Sequence, residues 1–261
     1  MEGTSSPKTV LITGAAGGLG QALYRQFHSK GWRIIATDLL EREQIMEMDV
    51  TSECSVKSVF DTIEKEGIIL DLIINNAGID RYFPLSEAAT EQFEAIFKVN
   101  LFGAYRINQT FLPLLRRPGG RIIHIGSESL NLLIPFMPYP LTKNALERYS
   151  LVLRQELRLV GIDVVAVRLG AVQTPILEAV HHISWPVSHP VLNKTFRTFS
   201  AQAKTEIGKV LTPAKAAGKI YRIALSPKPK AIYRFNNMLK LRISTLFPFP
   251  WLEKAIYRRL K

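Results

Sequence analysis

Thr9-Val-Leu-Ile-Thr13, running into Gly14-Ala-Ala-Gly17-Gly18-Leu19-Gly20, is the stretch that decides the fold. A short apolar run ending on a glycine cluster reads as a buried strand entering a tight turn. Leu19, Ala22, Leu23 and Phe27 then recur near helical spacing, and Gly31 ends the helix. The alternation continues. Strands are predicted over 33–37, 47–50, 70–75, 121–127 and 163–168, and helices over 55–66, 90–115, 139–160 and 213–225. Apolar strands alternating with helices imply a parallel sheet covered on both faces, hence one doubly wound α/β domain over residues 1–227.

Composition fits a chain with a substantial core: 261 residues, 47% hydrophobic and 21% charged. It excludes a disordered chain, a collagen and a disulfide scaffold. The one cysteine, Cys54, forms no internal disulfide and supplies no metal cluster. Net charge is +12, from 34 basic and 22 acidic residues, and most of the excess lies in residues 228–261. A nucleic-acid groove would spread such charge over the body of the fold, so no nucleic-acid partner is expected. Met1 to Lys8 is short, polar and contains Glu2, unlike a signal peptide, and no apolar run is long enough to span a bilayer. A cytoplasmic location is expected.

The glycines have a chemical reading. A diphosphate lying against a helix N-terminus needs backbone without Cβ atoms, which Gly14, Gly17, Gly18 and Gly20 provide. The spacing Gly-x-x-x-Gly-x-Gly departs from the commoner Gly-x-Gly-x-x-Gly, and a Gly-rich turn can also be only a turn. Asp38, 24 residues after Gly14, ends the second strand. A carboxylate there accepts hydrogen bonds from an adenosine ribose and repels a 2′-phosphate, which points to NAD; as a plain strand-end residue it would cap the turn. Asp49 and Val50 follow the third strand, where Asp49 either reaches the adenine region or caps the helix near Ser52.

Further motifs follow in order: Asn75-Asn76-Ala77-Gly78, Asn100, Ser127, Tyr139 with Lys143, and Gly170-Ala171-Val172-Gln173-Thr174. Together with the glycine turn, Leu19, Asp38 and Asp49-Val50, they make the chain resemble the short-chain dehydrogenase/reductase family across residues 9–175, and more particularly its hydroxysteroid and retinol dehydrogenase-type members. The resemblance implies a single Rossmann-fold catalytic domain, an NAD cofactor, a homodimer or homotetramer, and interconversion of an alcohol with a ketone or aldehyde. Tyr139 and Lys143 share a helix face, and an ammonium beside a phenol favours the phenolate, lowering the tyrosine pKa. Tyr139 would then be the acid/base, Ser127 would hold the substrate oxygen, Lys143 the nicotinamide ribose, and Asn100 a water leading to solvent. Asn76, Ala77 and Gly78 would cover the adenine and ribose side, while Val172 and Thr174 would meet the nicotinamide, although Thr174 equally suits a helix cap. The alternative is a catalytically silent NAD-binding scaffold or regulatory protein.

Five features depart from the family pattern. Ser127 and Tyr139 are twelve apart, one fewer than usual; Leu130 replaces a glycine; Pro138 and Pro140 flank Tyr139; Leu169-Gly170 replaces Pro-Gly; and 38–49 is too short for the usual second helix. Pro140 is tolerable only in the first helical turn.

Residues 175–211 occupy the lid region. With the apolar run that holds Leu130, Leu132, Leu133, Ile134, Phe136 and Met137, they suggest a lipophilic substrate, with Leu133 and Phe136 as its contacts; ordinary packing is the alternative. The histidines of the lid lack the acid and cysteine partners of a zinc site, so no metal is expected. The 228–261 extension has an edge strand near 231–234 and then Leu239, Ile243, Leu246, Phe247, Phe249, Trp251, Leu252, Ile256 and Leu260 among basic residues. It suits either a peripheral membrane contact or packing on its own domain or a partner subunit.

Overall fold

The computed structural model describes residues 7–205, 210–236 and 248–260. Its centre is a seven-stranded sheet in the order β3-β2-β1-β4-β5-β6-β7, parallel throughout. The strands are β1 (Thr9–Thr13), β2 (Arg33–Asp38), β3 (Met46–Glu47), β4 (Leu72–Asn75), β5 (Arg121–Ser127), β6 (Asp163–Leu169) and β7 (Ile232–Phe235). Strand order reverses between β1 and β4. The connections there leave in opposite directions and open a crevice at the carboxyl ends of the strands.

Side-chain alternation sorts the core into two layers. Val10 and Ile12 pack under α1 (Gly18–His28) and the late helix Pro213–Ala224, whereas Leu11 faces α2 (Glu53–Lys65) on the other side. That second face also carries α4 (Ala104–Phe111) and α5 (Tyr139–Arg158), with α3 (Thr90–Phe97) leading into α4. The expected single helix over 90–115 is interrupted. A π turn at Lys98–Gly103 separates α3 from α4, and a 3₁₀ turn at Leu112–Leu114 contains Pro113. At the end of the π turn a Cβ on Gly103 would lie 2.8 Å from Val50 Cγ2, so the chain passes close to the turn after β3. β3 itself is only two residues long, because the segment between β2 and β3 is spent on a tight turn with Gln44 at φ 65°. The fourth strand is likewise shorter than expected, with Leu70 reaching the sheet only through an isolated bridge to Leu115.

The lid comprises α6 (Pro175–Glu178), a 3₁₀ turn and α7 (Pro190–Thr205), and an isolated bridge between Val172 and Leu211 joins its base. It is followed by α8 (Pro213–Ala224) and, after β7, by α9 (Phe249–Leu260). α9 packs on α7. Leu260 and Ile256 join an apolar cluster with Phe136, Val187, Phe196 and Phe199, and Gln202 Nε2 donates to the Arg259 carbonyl at 3.0 Å. In the extension, Leu239, Lys240, Arg242, Ile243, Leu246, Phe247 and Lys261 lie outside the described residues.

One polar network is sealed inside the second layer. His124, fully buried on β5, meets Asn108 Nδ2 at 2.8 Å through Nε2 and Ser150 Oγ at 2.7 Å through Nδ1. Ser150 donates onward to the Leu146 carbonyl, so it accepts from Nδ1–H, and Nε2 accepts from the Asn108 amide. A second ring proton would face an N–H. Burial accordingly pushes the imidazole down to about 3, with Lys143 repelling charge in the same direction. The unfolded chain takes up this proton below about 6.5 and the native protein does not, so stability falls with falling pH in that window. Urea midpoints at pH 7.5 and pH 5 should show this loss, up to about 1.4 kcal/mol per pH unit from this group. The slope should be correspondingly smaller in His124→Gln.

Candidate active site

The crevice holds a cavity of about 770 Å³. Its floor is the β1–α1 turn. Gly14 has φ +65°, and a Cβ there would lie 2.8 Å from Ala77 Cα. A Cβ on Gly20 would lie 2.1 Å from the Gly14 carbonyl oxygen, so only glycine lets α1 begin against its own turn. A Cβ on Gly18 would press on Thr174 and Pro175 at 3.1 Å. Gly17 is the N-cap of α1 and brings no side-chain acceptor, so the first amides of the helix present a positive end to the cavity. This is a cradle for a diphosphate, and the chain fits a dinucleotide there.

Two side chains fix the cradle. Asp38 Oδ2 accepts from Ala16 N at 2.8 Å, and its Oδ1 accepts from Leu39 N at 2.8 Å. Asn76 Nδ2 donates to the carbonyls of Thr13 and Gly14, while Thr13 Oγ1 accepts from the amides of Asn76 and Ala77. Asp38 thus braces the turn and lines the cavity at once. Asp49 spends Oδ1 on Thr51 N and Oγ1, and the cap of α2 is Ser52, not Asp49. Leu19, Asp49, Val50, Asn76, Ala77, Gly78, Val172 and Thr174 all line the cavity. Thr174 is the N-cap position of α6, without a side-chain cap bond.

The far end holds Ser127, Tyr139 and Lys143, the groups expected to react. Tyr139 and Pro140 are the first two residues of α5, where the missing N–H of Pro140 costs nothing. Lys143 follows one turn on, nearly buried, with Nζ donating to the Ile125 carbonyl at 3.0 Å and lying 5.5 Å from the Tyr139 ring centre. Ser127, the last residue of β5, shares a 2.8 Å hydrogen bond with Ser129 Oγ and lines the cavity with Tyr139 and Lys143. Asn100 sits in the π turn. Its Oδ1 accepts from Ile79 N, and its Nδ2 donates to the Ile79 carbonyl and to Thr142 Oγ1. The Asn100 side chain thus ties the Gly78–Ile79 segment to α5.

Electrostatics differ from the sequence reading. Burial pushes the Tyr139 phenol well above its usual range, the Asp80 carboxylate pushes the same way, and a hydrogen bond with Ser127 opposes both. Burial pulls Lys143 down to about 8, with Asp80 opposing. Desolvation is thus the largest influence on the Tyr139 phenol, while Lys143 remains mostly an ammonium at neutral pH.

Two expected substrate contacts are corrected. Leu133 is exposed and does not line the cavity, and Phe136 is turned by a φ of 70° into the cluster with Phe196 and Phe199. Leu132, Ile134 and Met137 line the cavity instead, with Leu177, Val180 and Phe199 from the lid. Sequence reasoning also missed Asp80, Tyr82 and the cavity wall from α9, where Ile256, Arg259 and Leu260 reach in. It missed Glu128 as well, which is buried beside Ser127 and gripped by Arg234 of β7 through bonds of 2.9 and 2.6 Å. Asp80-Arg81 reads locally as a solvated turn, and Arg234 as one more charge of a basic tail, so no local signal separated them.

The model of the short chain dehydrogenase family matches residues 8–183, and every expected family motif lies on the crevice or braces it. The chain belongs to the short-chain dehydrogenase family. It is 33% identical to estradiol 17-beta-dehydrogenase 2 of Rattus norvegicus over 65% of this chain and 49% of that one, so it spans about half that enzyme's length. Fungal short-chain dehydrogenases are matched over 64% to 68% of their length. An NADPH-dependent 3-dehydrocapnine reductase of Ornithobacterium rhinotracheale is 26% identical over 96% of both chains. A short-chain dehydrogenase from Streptomyces avermitilis superposes with a TM-score of 0.77, covering 98% of this chain and 96% of that one at 22% identity.

The glycine geometry can be tested directly. Gly20→Ala should cost about 1–3 kcal/mol, as overpacking against a carbonyl does, whereas Gly17→Ala, whose Cβ meets only one atom at 3.4 Å, should cost far less. Equal unfolding temperatures for the two variants would contradict the close approach of α1 to its turn.

Proposed function

We propose that this short-chain dehydrogenase interconverts a lipophilic alcohol with its ketone or aldehyde, preferring NAD(H), and works as a homodimer or homotetramer in the cytoplasm. The observation that carries the reading is one cavity with a phosphate cradle at one end and Ser127, Tyr139 and Lys143 together at the other. Gly14, Gly17, Gly18 and Gly20 would hold the diphosphate, Asp38 the adenosine ribose, and Lys143 the nicotinamide ribose. The cofactor, when bound, supplies or accepts the hydride.

The chain's own groups handle the proton and the charge. Tyr139 Oη holds a proton beside the substrate oxygen and gives it up in ketone reduction. Ser127 Oγ donates to the same oxygen and steadies developing charge. Lys143, an ammonium at neutral pH, opposes the negative charge left on the phenolic oxygen. The side chains of Leu132, Ile134, Met137, Phe199 and Leu260 support an apolar substrate body. Asp38 supports NAD over NADP by repelling a 2′-phosphate. Exposed apolar side chains on α4 and α5, Tyr105 and Val152, with Phe102 of the π turn before α4, support pairing with a second copy.

Purified protein supplied with lipophilic secondary alcohols should reduce NAD faster than NADP. Tyr139→Phe should lower turnover about 10²- to 10⁴-fold while cofactor binding persists. Undiminished turnover would overturn the assignment, and cofactor binding without turnover of any alcohol would favour the silent scaffold. Asp38→Asn, which keeps an acceptor for Ala16 N and removes the charge, should shift the cofactor ratio toward NADP.

Phe249, Trp251 and Tyr257 are exposed on α9, with Lys254 and Arg258 on the same short helix, which supports a peripheral contact with an anionic membrane. Co-sedimentation with phosphatidylserine vesicles should be lost in a Phe249→Ser, Trp251→Ser double variant; sedimentation unaffected by these changes would remove the contact.

A further inference from the structure

Asp80 is a buried polar group of the cavity for which the reaction above finds no use. It stands two residues after Gly78, on the chain leaving β4, and lines the cavity together with Tyr82, Tyr139 and Lys143. Tyr82 Oη donates to Oδ2 at 2.9 Å. Oδ1 is shut off from solvent and, among the described residues, receives no hydrogen bond. Buried carboxylate oxygens normally have donors, because a desolvated acceptor left alone is unfavourable.

The surroundings say what the missing donor is. Burial raises the carboxyl to about 6, while Tyr82, Arg81 and Lys143 hold it down, so at neutral pH the group is an ionised acceptor. It sits close enough to Tyr139 and Lys143 to be felt electrically by both. An acid on the substrate would be repelled by this carboxylate. A substrate ammonium would be repelled by Lys143. A neutral hydroxyl suits both neighbours. The carboxyl torsion of an aspartate is soft, so a small turn presents an oxygen to the cavity without moving the backbone.

We propose that Asp80 is a substrate-binding residue that accepts a hydrogen bond from a second hydroxyl near the reacting carbon, so that the preferred substrate is an apolar molecule with a hydroxy-ketone or diol at its reacting end. This deepens the oxidoreductase reading above and rests on it. The apolar part of the wall takes the body of the substrate, and the Asp80 carboxylate orients the end at which Tyr139 and Ser127 act.

The experiment compares 1-hydroxy-2-decanone with 2-decanone as substrates. In parallel, 1,2-decanediol and 2-decanol are titrated into the protein saturated with NADH, with intrinsic fluorescence as the readout. The wild type should favour the hydroxylated member of each pair about tenfold to a hundredfold, the worth of one hydrogen bond to a charged group. That ratio should fall close to one in Asp80→Leu and to an intermediate value in Asp80→Asn, whose amide keeps an acceptor. A wild-type ratio near one overturns the inference. So does a preference that survives in Asp80→Leu, or a substitution that weakens NADH binding while leaving the ratio intact. Turnover of both ketones without a hydroxyl preference removes Asp80 from this role and leaves the oxidoreductase reading standing. Preferential binding of the diol with no turnover of either ketone supports the Asp80 assignment and removes the oxidoreductase reading instead.

Discussion

The first turn of α1 lies against the loop that precedes it, and the rest of the site depends on that contact. The space between the Gly14 carbonyl and Gly20 leaves no room for a methyl group. The turn is tied sideways to β2 through Asp38 and to the segment after β4 through Thr13 and Asn76. That second segment carries Gly78, whose missing Cβ leaves Asn100 and Lys143 within 3.2–3.4 Å of where it would be. The glycine turn and Lys143 are therefore linked through one series of close approaches, from the backbone contact at Gly20 through the Asn76 and Thr13 hydrogen bonds to the Lys143 Nζ that lies beside Gly78.

The sheet and its helices were legible because burial on both faces forces apolar runs, and Val10, Leu11 and Ile12 announce a central strand without help from elsewhere. Tyr139 and Lys143 were legible as a pair through their spacing, since i and i+4 on a helix share a face, and Ser127 was legible as the end of a strand. What sequence could not convey was the fate of long-range pairs. Arg234 and Glu128 are 106 residues apart, and each reads locally as a solvated charge. Asp80 reads as a turn residue until the lid and α5 remove its water. Phe136 was assigned to the substrate on hydrophobicity alone. Its positive φ, which a bulky residue adopts only under constraint, swings it away from the cavity, and nothing short of the folded backbone reveals that.

The basic extension shows the same distinction. Its charge suggested a question of location, separate from chemistry. Yet Arg234 clamps the residue beside Ser127, and Arg259 lines the cavity with Leu260 and Ile256. β7 and α9 therefore contribute to the candidate site, although the basic residues of the tail that are described remain exposed. A segment can supply an outer surface and an inner wall together when one helix face packs on α7 and the other carries Trp251 and Tyr257.

The protonation state of Tyr139 follows from competing terms whose order the sequence could not supply. An ammonium one turn away stabilises a phenolate, but the same burial that places Lys143 there weakens its hold on its own proton. Desolvation of the phenol then dominates, and the Asp80 carboxylate adds to it. Tyr139 therefore rests with its proton on, beside Ser127 in the cavity. Under the proposed function it is a donor toward a ketone oxygen, and removal of an alcohol proton would need additional positive charge in the crevice, of the kind an oxidised nicotinamide would bring.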